Sequence, residues 1–163
     1  MTELRINARI KETIADGPGI RYAVYTQGCT HRCEGCHNPH THDPSGGEDM
    51  AVDTMLAEID RNPLLDGITL SGGEPFLQIE PLIILCQAVR ERGLNVWIYS
   101  GWTFEELYQD DAKRSLLELA DVLVDGRFIL GQRSLTLPWR GSRNQRVIDV
   151  RLSLQAGEAV ERL

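Results

Sequence analysis

No apolar run in the sequence is long enough to cross a membrane. The longest one, at residues 82–86, is far shorter than the ~20 residues that span a bilayer, and it is typical of one face of a helix. Residues 1–12 contain no apolar segment of the kind found in signal peptides. We therefore expect a cytoplasmic protein with no membrane segment.

Positive charge is also scarce. The 17 lysines and arginines are outnumbered by 24 acidic residues, and the net charge of −7 argues against general nucleic-acid binding. Six arginines nevertheless lie between Arg127 and Arg151, with Asp149 as the one acidic residue among them. This segment indicates either a solvated face or a surface for a partner or a nucleotide.

Three of the four cysteines lie in one short loop, Cys29, Cys33 and Cys36, with the spacing C-x3-C-x2-C. A closed zinc site or an ordinary four-iron cluster needs four protein ligands. The fourth cysteine, Cys86, lies on the apolar face of a helical pattern, where a free cysteine acts as a small hydrophobe. A cluster held by three cysteines would leave one iron open to a substrate.

Two other interpretations of the cysteine loop remain open at this point. A zinc site with three cysteines and one histidine is stereochemically feasible, and a redox or structural thiol cluster is the other alternative. A disulfide is disfavoured, because three clustered cysteines leave an odd thiol and nothing marks the chain as secreted. The histidines near the loop are His31, His37, His40 and His42.

The order of hydrophobic patterns predicts an α/β fold. With 163 residues the chain is too short for a complete eight-fold α/β barrel of ~250 residues, and we expect one domain over residues 1–163. Alternation of strand and helix patterns predicts a parallel sheet with right-handed crossovers. The predicted strands are 20–26, 67–71, 94–99, 121–124, 135–137 and 146–154. The predicted helices are 53–61, 79–92, 103–108 and 113–119.

A polar or glycine-rich signature follows each of the first four predicted strands. Because ligands bind at the carboxyl ends of parallel strands, these four signatures should meet at one site, and we expect an enzyme. Paired glycines allow close approach of a ligand to the backbone. The signatures are the cysteine loop, then Gly72-Gly73-Glu74, then Ser100-Gly101, and finally Asp125-Gly126.

These motifs resemble those of the radical S-adenosylmethionine (SAM) enzymes. The cysteine loop and residues 71–75 (SGGEP) match that family's cluster loop and its amino-group-binding motif, and residues 16–21 (DGPGIR) resemble a signature of glycyl-radical activases. Residues 33–38, 122–128 and 139–145 are similar to segments of the activating proteins of anaerobic ribonucleoside-triphosphate reductase. The resemblance covers roughly residues 13–148.

The resemblance implies a partial α/β barrel of parallel strands that binds a [4Fe-4S] cluster and SAM. Cys29, Cys33 and Cys36 would hold three irons, and the SAM amino and carboxylate groups would bind the fourth. Asp125 is also a candidate ligand for a monovalent cation. The implied cofactor contacts are Gly35, Cys36, His37, Asn38, Ser71, Gly72, Gly73, Glu74, Ser100 and Asp125.

The activity implied by the resemblance is activation of a glycyl-radical protein. A low-potential donor such as flavodoxin would supply an electron that cleaves SAM, and the resulting 5′-deoxyadenosyl radical would take hydrogen from a glycine of the reductase large subunit. The alternatives are activation of another glycyl-radical protein, peptide maturation, and a non-catalytic zinc-binding interaction module. The candidate partner contacts are Asp16, Gly17, Gly19, Arg21, Arg140 and Arg143.

Overall fold

A seven-stranded mixed sheet is the centre of the fold, with the strand order β3-β1-β2-β4-β5-β6-β7. The computed structural model describes residues 2–162. The strands are β1 Glu3–Thr13, β2 Arg21–Thr26, β3 Glu48–Ala51, β4 Gly67–Gly72, β5 Asn95–Tyr99, β6 Val122–Asp125 and β7 Arg146–Asp149. The helices are α1 Val52–Asp60, α2 Ile79–Glu91, α3 Phe104–Gln109, α4 Asp111–Leu117 and α5 Val150–Ala156.

The four central strands, β2, β4, β5 and β6, are parallel, as the sequence predicts. In the β2–β4 pair, Arg21 lies opposite Gly67 and Thr26 lies opposite Gly72, so both strands end at the same level. The predicted parallel sheet is thus confirmed in the middle, whereas β1, β3 and β7 at the two sides pair antiparallel, so the sheet as a whole is mixed. The sheet ends at β3 and β7 in the described residues, and the partial barrel remains a prediction.

The helix predictions agree with the structure more closely than the late strand predictions. Thr103 begins α3 with a capping box that includes Glu106, and α2 ends before Gly93, which has a φ of 77°. Residues 135–137 are not a strand but a bend in which Leu135 is 85% exposed. The strand predicted to run to residue 154 ends at Asp149, because the Asp149 side chain accepts a hydrogen bond from the backbone of Leu152 and begins α5.

The two faces of the sheet are covered unequally. One face packs against the helices in a large apolar core that includes Cys86, which is fully buried as the sequence predicts. The opposite face has a smaller cluster built on Trp97, Val122, Val124 and Val147. No helix in residues 2–162 has both the length and the apolar character needed to cross a membrane.

Candidate active site

A cavity of about 420 Å³ lies at the carboxyl ends of the four parallel strands. The cysteine loop follows β2, Gly72 ends β4 with Gly73 directly after it, and Ser100 and Gly101 follow β5. All of them line this cavity. Gly126, just after β6, completes the set. The structure therefore brings together the first three signatures and the glycine of the fourth, although they lie far apart in the sequence, as expected for a parallel sheet.

The cysteine loop contains several residues with positive φ angles, which make its turns tight. Gly28 and Gly35 have positive φ values of 107° and 71°, and Arg32 also has a positive φ of 51°. Left-handed backbone is uncommon for a residue with a side chain, and it is concentrated at functional sites. The backbone N–H of Asn38 donates to the Sγ of Cys36 at 3.4 Å, which holds the third cysteine against the chain that follows it.

The donor set of the cavity fits a cluster held by three cysteines. Cys29, Cys33 and Cys36 all line the wall, while Cys86 is fully buried in the core. Burial raises the pKa of the Cys29 thiol, and the charge of Glu74 acts in the same direction. A bound metal would reverse this effect, because a coordinating thiol is deprotonated.

No group of three metal-binding side chains in residues 2–162 converges on a single ion position. In an iron–sulfur cluster each cysteine binds a different iron, so its thiols need not converge in this way.

The two glycines at the end of β4 allow close backbone packing against the cysteine loop. The N–H of Gly73 donates to the carbonyl of Thr26 at 2.8 Å, and the N–H of Glu74 donates to the carbonyl of Gly28 at 2.8 Å. A Cβ on Gly72 would lie 2.6 Å from the backbone nitrogen of Thr26. The glycines are therefore needed by the fold as well as being available to a ligand in the cavity.

The carboxylate of Glu74 is fully buried and receives hydrogen bonds from four donors of its own chain. Oε1 accepts from Nε2 of His31 at 2.6 Å, from Oγ of Ser100 at 3.0 Å and from the N–H of Gly101 at 2.8 Å. Oε2 accepts from Ser100 at 3.0 Å and from the N–H of Phe76 at 3.1 Å. This network joins the cysteine loop to the ends of β4 and β5.

Asp125 lies outside the first cavity and is 1% exposed. Its two oxygens accept from Nε and Nη2 of Arg146 at 3.1 and 2.6 Å, and Oδ2 also accepts from the N–H of Phe104 at 2.7 Å. It lines a neighbouring cavity of about 660 Å³. Arg146 thus supplies a positive charge at the carboxylate, and the predicted cation site there stays a prediction.

Most of the predicted cofactor contacts lie together. The residues that line the cavity are Cys36, His37, Asn38, Ser71, Gly72, Gly73, Glu74 and Ser100, whereas Gly35 and Asp125 do not. Of the predicted partner contacts, Asp16 and Arg140 line the cavity, and Gly17, Gly19, Arg21 and Arg143 do not.

The guanidinium of Arg21 is enclosed by the protein. Its Nε donates to Oγ1 of Thr69 at 2.7 Å, and its Nη2 donates to the carbonyl of Ile68 at 2.6 Å. A further bond at 3.1 Å reaches the carbonyl of Pro18, and burial lowers the pKa of Arg21 to about 10. This residue supports the 16–19 loop from inside, and its 0% exposure argues against the predicted partner contact.

Several cavity residues carried no strong signal in the sequence. The sequence indicates His31 only as a possible zinc ligand, through its position between two cysteines. The aromatic residues Tyr99, Phe128 and Trp139 also line the cavity, and the first of them ends β5. Phe128 and Trp139 belong to the irregular segment after β6, where periodicity gives no information about side-chain direction.

The comparisons with known proteins agree with this site. The family model described as 4Fe-4S single cluster domain matches residues 15–148. The anaerobic ribonucleoside-triphosphate reductase-activating protein of Vibrio cholerae is 37% identical over 140 residues, with 81% of this chain and 89% of that protein covered. The protein of the same name from Haemophilus influenzae is 36% identical over 142 residues, with the same coverage. The chain belongs to the 4Fe-4S single cluster domain family and to the anaerobic ribonucleoside-triphosphate reductase-activating proteins.

A solved structure supports the fold. The crystal structure of QueE from Escherichia coli matches with a TM-score of 0.51 and 18% sequence identity. The match covers 62% of this chain and 54% of that chain, so it spans about half the length of QueE. At this identity the likeness concerns the α/β fold alone.

Proposed function

We propose that this protein is a radical SAM activase that generates a glycyl radical on anaerobic ribonucleoside-triphosphate reductase. The observation that carries the proposal is a single cavity lined by three cysteines and by the Gly72-Gly73-Glu74 turn. The names of the relatives and the single-cluster family point to the same activity. We include in this proposal a single catalytic domain over residues 1–163, an incomplete barrel, and a cytoplasmic setting in which thiols stay reduced.

Cys29, Cys33 and Cys36 would hold a [4Fe-4S] cluster, and the rest of the cavity would hold SAM. When bound, the reduced cluster and SAM supply the radical that removes hydrogen from a substrate. Gly72, Gly73 and Glu74 would position the amino group, residues 35–38 would lie on the adenine side, and Ser100 would contact the ribose or carboxylate. The role of the protein is to orient these groups and to exclude water from them. We retain Asp125 as a candidate cation ligand.

The partner protein would enter on the side of the cavity formed by Asp16 and Arg140. The neighbouring segment 127–145 contains no acidic residue. Its residues Arg127, Arg133 and Arg143 are exposed and form no ion pair within residues 2–162, and Leu135 beside them is 85% exposed. A basic surface with exposed apolar side chains, on a protein of net charge −7, suits an acidic partner surface. The 16–19 loop, with Gly17 and Gly19, would contact the same partner.

Charge reversal tests this docking surface. We expect Arg143→Glu to lower the rate of partner activation by about tenfold, because like charges across an interface slow association. Reductive SAM cleavage without the partner should be unchanged, since Arg143 lies outside the cavity. Arg151→Glu, an exposed change of equal charge on α5, is the matched control. Equal loss of SAM cleavage and partner activation in Arg143→Glu would contradict the docking role.

The activity itself is tested by incubating the reconstituted protein anaerobically with SAM, a reductant and the reductase large subunit. We expect a glycyl-radical signal by electron paramagnetic resonance (EPR) on the reductase, with either dithionite or a low-potential carrier such as flavodoxin as reductant. SAM cleavage without a radical on the reductase would redirect the assignment to another glycyl-radical protein or to a peptide substrate. A colourless protein that retains zinc would contradict the proposal.

A further inference from the structure

The buried carboxylate of Glu74 has no free acceptor position for a ligand. A carboxylate offers about four acceptor sites, and four donors already occupy them: His31, Ser100, Gly101 and Phe76. The side chain has 0% exposure. A direct bond from a SAM amino group would require one of these donors to leave. A ligand in the cavity would therefore meet the backbone of the glycine turn rather than the carboxylate oxygens of Glu74.

His31 is the one donor to Glu74 that comes from the cysteine loop. It lies between Cys29 and Cys33, and its Nε2 is 2.6 Å from Oε1 of Glu74. Because a carboxylate only accepts hydrogen bonds, the ring nitrogen is the donor. A short hydrogen bond to a charged acceptor is among the stronger polar interactions in proteins. This contact is the direct side-chain link between the loop that carries the thiols and the end of β4.

The ring of His31 is held in this position from two other sides. Its side chain is 4% exposed, and the ring of Trp102 packs edge-on against it with a centroid distance of 4.7 Å. Gly101 lies directly against the ring, because a Cβ at that position would be 2.5 Å from Cδ2 of His31. The absence of a side chain at Gly101 is thus what lets the histidine reach Glu74.

We propose that His31 is a positioning residue that fixes the cysteine loop, and with it the cluster, relative to the SAM-binding ends of β4 and β5. The inference rests on the proposed function. His31 connects the cysteine loop to Glu74 at the end of β4, and Ser100 and Gly101 connect Glu74 to the end of β5. Without the histidine the three thiols would remain available to iron, but the cysteine loop would lose its side-chain hydrogen bond to Glu74 and would no longer be fixed relative to the glycine turn.

The test compares His31→Phe, His31→Gln and the control His40→Phe after anaerobic reconstitution. Phenylalanine keeps a ring against Trp102 but removes the donor, whereas the amide nitrogen of glutamine can replace Nε2. His40 is exposed in the same loop region and does not line the cavity. The readouts are iron and sulfide content per chain, and the SAM concentration that half-completes the change in the EPR signal of the reduced cluster.

We expect all three variants to bind iron as the wild type does. We expect His31→Phe to need about tenfold more SAM for the EPR change, because the free energy of one hydrogen bond to a charged group corresponds to an affinity change of about this size. His31→Gln should recover most of the affinity for SAM. A wild-type SAM response in His31→Phe would overturn the inference. Loss of iron in both His31 variants, with wild-type thermal unfolding of the apo-protein, would overturn it as well, since His31 would then be needed to bind the cluster. A wild type that shows no SAM response would instead contradict the proposed function.

Discussion

The ion-pair cluster around Glu58 allows a quantitative prediction of acid sensitivity. Glu58 of α1 accepts from Nε and Nη2 of Arg9 at 2.9 and 2.7 Å and from the hydroxyl of Tyr22 at 2.7 Å. The side chain of Glu58 is 7% exposed, and Nζ of Lys11 lies 3.4 Å from its Oε2. These bonds, with that of Arg9 foremost and burial opposing them, lower the pKa of Glu58 from 4.5 to about 2.

The size of the effect follows from this pKa difference. Each pKa unit corresponds to about 1.36 kcal/mol, so the whole pKa difference would stabilise the folded state by roughly 3 kcal/mol. Solvent screening at the partly exposed Arg9 reduces this stabilisation to about 2 kcal/mol. Because the pKa is lower in the folded state, this stability is present above pH 4.5 and is lost as the pH falls towards 2. Glu58→Gln should therefore be less stable than the wild type at pH 7 by about 2 kcal/mol.

Urea unfolding of the apo-protein at several pH values measures the predicted difference. The difference in the free energy of unfolding between the wild type and Glu58→Gln should be constant from pH 7 to about 5 and should decrease steadily below pH 4.5. Glu118→Gln, which removes an exposed carboxylate at the end of α4, should follow the wild type at every pH. If this free-energy difference stays constant down to pH 3, the stabilisation does not depend on the ionisation of Glu58. The substitution would then act through packing, and the predicted pH dependence would be refuted.

Three further substitutions test the site and its surroundings. Gly73→Ala would place a Cβ in contact with the carbonyl of Gly28, so we expect the cysteine loop to shift and iron content after reconstitution to fall at least about twofold; normal iron content would contradict this. Asp125→Asn leaves Arg146 without its buried partner charge. The free energy of unfolding, measured by thermal unfolding, should fall by about 2–3 kcal/mol. An unchanged unfolding midpoint would show that the ion pair contributes little to stability. Cys86→Ala should cost about 1 kcal/mol in urea unfolding and leave iron content unchanged, because Cys86 is core; a loss of iron would make it a ligand.

The central strands and helices could be predicted from the sequence because they bury one continuous face. Their hydrophobic periods, their glycine stops and the Thr103 cap all point to the same elements. β1 was not predicted, because it is mostly partly buried or exposed and its stability comes from pairing with β2 and β3. Such pairing depends on distant residues and leaves little mark on the local sequence.

The position of the site was predictable, but the partners of its side chains were not. Topology alone places the ends of parallel strands together, and this brought the cysteines to the glycine turn. The pairing of Asp125 with Arg146, the enclosure of Arg21, and the contact of His31 with Glu74 join residues that are 21 or more positions apart, except for the Arg21–Pro18 bond. Those contacts depend on side-chain directions in loops, which sequence periodicity does not specify.

Reductive SAM cleavage on a three-cysteine cluster can be measured by anaerobic reconstitution with iron and sulfide followed by a dithionite-driven assay for 5′-deoxyadenosine. We expect a brown wild-type protein that forms 5′-deoxyadenosine and methionine, no product from Cys33→Ala, and product from Cys86→Ala. Wild-type protein that binds the cluster and SAM but forms no 5′-deoxyadenosine, or equal product from Cys33→Ala, would contradict it.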